Sequence, residues 1–349
     1  MRKTLSDLAM HVKSVIVPET DEAYAIAPFF TDLFTDETIR RGVAAFRGFL
    51  RRLCDVLAAE GDLHDKKNKV AHAYENRSGT SVYYPFLNNV KHLLLNMAYH
   101  GALAGPAQSL AFGGAVFSPK LPVSQSMEFL RFLANCGVSV DGVDIRGKKQ
   151  DLHQMESLSI AYPDDPAALL GMKVMAMAEK KFGTLVNWDI FLRCDYRTLY
   201  NGQTDAVSTL RNTIAPLPAN VRDFIWRLHQ RCLDQGLACE AEIKDFWILV
   251  KYSYKRKEVW GLNKSLNNGF EMSVKAANMV QYQDAIQKFP LALREVIAKG
   301  YGCGRKRPGI GHCDGGCRGL RIPLDDSVLA ICDGIETWFD QELACRGKR

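Results

Sequence analysis

Between residues 36 and 60 apolar side chains return every three or four positions, at Val43, Phe46, Leu50, Leu53 and Leu57, while Arg40, Arg47 and Arg51 line the opposite side. That period predicts an amphipathic helix, with Thr35 or Asp36 as its cap. A polar stretch through Lys66, Lys67, Asn68 and Lys69 follows, then a short strand at 70–74, a turn at Gly79 and a second helix at 85–99 that ends at His100 and Gly101.

The two glycines and two prolines within 113–123 read as a linker and place a first boundary near residue 118. Beyond it, Met127, Leu130, Phe132, Leu133 and Cys136 predict a helix closed by Gly137, and residues 157–162 a strand. Pro163, Asp164, Asp165 and Pro166 stop that strand and start a helix over 166–182, whose broad apolar surface predicts burial against a sheet. Residues 189–196 read as a further strand, with Arg193, Asp195 and Arg197 on a charged face and Leu192, Cys194 and Tyr196 on a packed one. Helix, strand, helix, strand is the order of a layered α/β unit.

Pro216 and Pro218 mark a second boundary near 215, and a helix over 221–235 ends at Gly236. Three strands at 246–254, 258–264 and 270–276 then form an antiparallel meander, with Asn268 and Gly269 as a hairpin turn. In the third of them Phe270, Met272, Val274 and Ala276 alternate with Glu271, Ser273 and Lys275, one buried face and one wet face. Helices at 282–289 and 290–299, a closing strand at 320–324 and a last helix capped by Asp325, Asp326 and Ser327 complete the chain. The predicted class is α+β, helices packed on antiparallel or mixed sheets in two or three units: 1–118, 119–215 and 216–349.

This closing order, a helix, a three-stranded meander carrying Lys251, Tyr252 and Lys257, later helices and a final strand, resembles a group of small bacterial proteins classed only as a domain of unknown function. The likeness covers 221–343 and is one of layout. It implies a fold, carries over no catalytic residue, and leaves the loop at 303–317 outside the shared pattern.

Composition narrows the classes. A 47% hydrophobic and 24% charged chain of 349 residues is ordinary for a globular protein. With no run of about 18 apolar residues and no apolar segment near Met1, the expectation is a cytosolic protein without a membrane segment. A formal charge of +6 is mild for a nucleic-acid binder. Basic clusters such as Lys255, Arg256 and Lys257 read first as solvated surface, and nucleic acid stays open as a partner.

Chemistry concentrates in two places. Cys303, His312, Cys313 and Cys317 lie in a glycine-rich loop, three thiols and an imidazole of the kind that suits tetrahedral zinc. His312 adjoins Cys313, so an all-thiolate set recruiting Cys332 or Cys345 is an alternative, as are a structural glycine loop and a redox thiol activated by the neighbouring arginines. The second place is the meander, where Trp247, Tyr252, Tyr254 and Trp260 would wall a small-molecule site and Arg193 or Lys251 would anchor an anion, against the reading of the aromatics as core. Asp141, Asp144, Asp164 and Asp165 suit turns and caps. Dinucleotide, P-loop, zincin and esterase motifs are missing from the sequence. The expected function is a non-catalytic ligand-binding or regulatory module with a zinc-stabilised loop; a metal- or thiol-dependent enzyme and a nucleic-acid-binding protein are the alternatives.

Overall fold

Capping chemistry opens the structure, a computed structural model that describes residues 4–19, 24–64, 85–105, 109–117, 123–148, 150–183, 189–201, 205–244, 247–265, 269–298, 306–307, 311–312 and 320–347. In α1 (Leu5–Val15) Thr4 and Asp7 form a reciprocal capping box. In α2 (Asp36–Ala59) the Thr35 hydroxyl accepts from the Thr38 amide at 3.3 Å, and Ile39, Val43, Phe46, Leu50, Leu53 and Leu57 make its buried stripe. The fold is α+β, and the chain divides into two units, residues 1–204 and 205–349.

The first unit continues with α3 (Pro85–His100), β1 (Ala102–Ala104), β2 (Ser109–Phe112), α4 (Val123–Asn135), β3 (Ser139–Asp141), β4 (Leu158–Ala161) and α5 (Ala167–Phe182). Its antiparallel sheet has the order β1-β2-β4-β3, with Leu110, Ile160 and Val140 in register, and α5 packs on α2 and α3. Strands on both sides of residue 118 therefore share one sheet, and no unit boundary falls there. The glycines that read as a linker serve close approach instead: the Gly114 amide donates to Met155 O at 2.8 Å, and a Cβ on Gly114 would sit 2.0 Å from Leu152 O.

Residues 189–196 do not form a strand. The Cys194 amide donates to Phe191 O and the Asp195 amide to Ile190 O, winding the segment into successive turns with Cys194 at φ 47°. Its charged residues are inside, not on a wet face: Asp195 is fully buried and accepts two bonds from Arg197, at 2.6 and 2.7 Å, with Arg193 Nη1 at 3.7 Å. Alternation of charge with apolar residues here reflects an internal ion pair. Arg47 is likewise buried, its guanidinium 5.3 Å from the Tyr196 ring centroid, so α2 is not polar all along its second side. The strand expected at 70–74 lies outside the described residues.

The second unit begins with α6 (Ala206–Ile214) and α7 (Ala219–Asp234), then β5 (Ala238–Lys244), β6 (Trp247–Tyr254), β7 (Lys257–Ser265) and β8 (Gly269–Val274). There follow α8 (Leu291–Ala298), the two-residue strands β9 (Lys306–Arg307) and β10 (Gly311–His312), β11 (Leu320–Pro323) and α9 (Cys332–Gly347). The meander is the middle of a five-stranded antiparallel sheet ordered β11-β8-β7-β6-β5. Val250, Tyr252, Trp260, Leu262, Met272, Val274 and Ile322 pack with Phe224 and Leu228 of α7 and Trp338 and Phe339 of α9 into one core. Away from that core the sheet carries ion pairs, Lys251 with Glu240 at 2.8 Å and Arg321 with Glu271 at 2.9 Å. The second face of β8 is drier than its alternation predicts, since Ser273 is buried and bonds to Gly261 O.

Candidate functional site

The end of the β6–β7 hairpin is irregular in two ways. Tyr254 pairs with Lys257 across a two-residue turn whose central residues, Lys255 and Arg256, both have positive φ, 48° and 64°. Such turns favour Asn-Gly because a Cβ in the left-handed region costs about 1 kcal/mol or more; here two long basic side chains occupy both positions. A β-bulge follows: Tyr252 pairs with Trp260 and Ser253 with Glu258, leaving Val259 as the extra residue. Val259 and Trp260 both enter the core, which turns Glu258 to the side of Lys275, and the two form an ion pair.

Beneath this hairpin end lies a cavity of about 420 Å³, lined by Tyr254, Lys255, Lys257 and Glu258 from the hairpin, Lys275, Ala277 and Asn278 from the segment after β8, and Arg346 from α9. Arg346 holds these pieces together: it donates to Glu258 O at 3.2 Å, to Lys275 O at 2.5 Å and to the Glu342 carboxylate at 2.9 Å. Glu342 is itself buried and accepts from the amides of Ala277 and Asn278, at 3.0 and 3.1 Å, and from the Tyr282 hydroxyl at 2.7 Å. Burial and the adjoining carboxylate hold the Tyr282 phenol well above its usual range, so it stays a donor. A satisfied network of this kind fixes the cavity floor.

Among the described lining residues four cations thus meet one carboxylate. Arg346 is matched by Glu342 and Lys275 by Glu258. Lys255 and Lys257 are exposed and have no carboxylate partner among the described residues; the Lys255 ammonium stands 5.5 Å from the Tyr254 ring centroid. The described lining thus carries an excess of positive charge and hydrogen-bond donors.

Of the residues marked in the sequence, Tyr254 lines this cavity. Tyr252 and Trp260 do not wall a ligand site: they are fully buried and stack in the core, ring centroids 4.2 Å apart and planes 3° apart. Their polar atoms are occupied too, the Tyr252 hydroxyl by His229 Nδ1 at 2.7 Å and Trp260 Nε1 by Cys232 Sγ at 3.0 Å. Lys251 is paired with Glu240, and Arg193 lies in the first unit, buried beside Asp195. Trp247 opens β6 opposite Lys244 and Ser265, and its side chain is outside the described residues.

Cys303, Cys313 and Cys317 also lie outside them, as does the His312 side chain; only the backbone pairing of His312 with Lys306 is described. The Cys332 thiol donates to Leu329 O at 3.3 Å. Among the described residues no three His, Cys, Asp or Glu side chains gather as metal ligands, and no helix is long and apolar enough to cross a membrane. Asp165 forms a bidentate pair with Arg41, at 2.8 and 2.9 Å, and Asp144 bonds its own turn through the Arg146 amide.

Fold and cavity together define an α+β protein whose C-terminal unit carries a cationic pocket. Comparison with protein-family models, curated proteins and solved structures finds no match.

Proposed function

We propose that the C-terminal unit is a non-catalytic ligand-binding module that holds a small anion in the cavity at the end of the β6–β7 hairpin. The observation that carries the reading is the charge imbalance there: Glu258 is paired with Lys275, and Lys255 and Lys257 form no ion pair with a carboxylate among the described residues. The left-handed Lys255 and Arg256 support it, because backbone strain of this kind concentrates at ligand sites. A volume of about 420 Å³ falls in the usual range for small-molecule pockets, roughly 300–1,000 Å³. Among the described lining residues there is no thiol, imidazole or aliphatic hydroxyl, and their one carboxylate is paired with Lys275, which favours binding over nucleophilic chemistry at this place.

Thermal unfolding of the full chain across a panel of multivalent anions tests the reading. Phosphate or pyrophosphate raises Tm relative to chloride at equal ionic strength, and the double substitution Lys255→Gln, Lys257→Gln removes the rise. An unchanged Tm across the panel speaks against it. Zinc stabilisation of the 303–317 loop remains part of the proposal on sequence grounds: one zinc per chain by elemental analysis, absent from a Cys313→Ser, Cys317→Ser variant, is its expected result.

A further inference from the structure

Resting on that anion-binding reading, we infer that the ligand is a phosphate ester carried on a planar ring, the chemistry of a nucleoside mono- or diphosphate. Two features narrow the anion. A carboxylate is best met by the bidentate fork of an arginine, but Arg346, the one arginine among the described lining residues, already directs its three guanidinium nitrogens to Glu342 and to the carbonyls of Lys257, Glu258 and Lys275, which leaves no free fork. The free charges are ammonium groups, compact point charges with three rotatable donors each, and these suit the three-oxygen head of a phosphate.

The ring follows from Tyr254. It is half-buried at the cavity wall, one side packed against the core, and among the described residues it makes no ring-on-ring contact and carries only the Lys255 ammonium over its ring, at 5.5 Å. By contrast Tyr252, two residues earlier, is stacked on Trp260. A planar base lying on Tyr254 would place its phosphates within reach of Lys255 and Lys257, and the cavity is several times larger than a bare phosphate needs. Base-on-aromatic stacking is worth about 1–3 kcal/mol, which corresponds to roughly fivefold to more than a hundredfold in affinity. Recognition of this kind uses a hairpin end and needs no glycine-rich phosphate loop, consistent with the lack of such a motif in the chain.

Calorimetric titration of the full chain with ADP, inorganic pyrophosphate and citrate separates this inference from the reading beneath it. ADP is expected to bind about tenfold or more tighter than pyrophosphate, with citrate weakest, and Tyr254→Leu to weaken ADP by a larger factor than pyrophosphate, so that the gap between the two closes. Citrate equal to or tighter than ADP, or ADP no tighter than pyrophosphate, overturns the ring-phosphate ligand and leaves the anion site standing. No heat from any of the three overturns both. The wild-type comparison decides between these outcomes even if the Tyr254 variant is poorly folded.

Discussion

His229 and Tyr252, both buried, meet at 2.7 Å, and that contact sets two expectations. Tyr252→Phe leaves the imidazole nitrogen without its partner and should cost about 1–3 kcal/mol in urea unfolding. Burial also holds the His229 imidazole below its usual value of 6.5, so the folded state keeps it neutral. The contribution is complete above pH 6.5 and is lost as pH falls through the lowered folded value, because the unfolded chain takes up the proton first. Unfolding monitored by tryptophan fluorescence should therefore show stability falling below pH 6.5 in the wild type, and a shallower fall in His229→Gln. The thiols behave in the opposite sense. Burial pushes Cys54, Cys136, Cys194 and Cys232 up to about 12, so a neutral-pH thiol reagent should spare all four until the chain unfolds. Their contribution is present below pH 9 and declines as pH rises toward 12, by about 1.4 kcal/mol per unit for each thiol that ionises only in the unfolded chain. At this scale the sequence marks the aromatic residues but not their partners: Tyr252 and Tyr254 differ by one strand period, and only the third dimension puts one on Trp260 and the other at a cavity.

Among the elements, the β6–β7 turn is where stability and binding oppose each other. Arg256→Gly relieves a left-handed arginine and should stabilise the protein by about 1 kcal/mol, read as a higher urea midpoint with an unchanged slope. Adding Lys255→Asn restores the favoured Asn-Gly turn, and should gain stability again while weakening anion binding. Glu342 has the contrary role, since Glu342→Leu would strand the amides of Ala277 and Asn278 and free Arg346 from its partner; a loss of about 3 kcal/mol or more is expected by the same assay. Elements with a strong period were legible in the chain, α2, α7 and the three central strands above all. β5 was not, because Ala238, Cys239 and Ala241 are too small to make a clear apolar alternation against Glu240 and Glu242. The 189–196 turns mimicked a strand because an internal ion pair at Asp195 and Arg197 imitates a wet face.

For the molecule as a whole, the cavity was legible only through Tyr254, marked in the sequence as a ligand wall, whereas its basic turn reads in sequence as solvated surface. Its other walls come from residues 275–278 and from Arg346, and no local pattern ties these to 254–258. The chain's net charge of +6 adds a weak general attraction for anions, so a decisive measurement must separate that field from the site. Titration calorimetry with pyrophosphate on the wild type, on Lys255→Gln with Lys257→Gln, and on Lys180→Gln with Lys181→Gln does this, because both doubles remove the same charge but only one touches the cavity. One saturable site whose affinity falls with added salt, drops at least tenfold in the Lys255, Lys257 variant and is kept in the Lys180, Lys181 variant is the predicted result. Equal weakening in the two variants, or no saturable binding in the wild type, would contradict the assignment of this cavity as the ligand site.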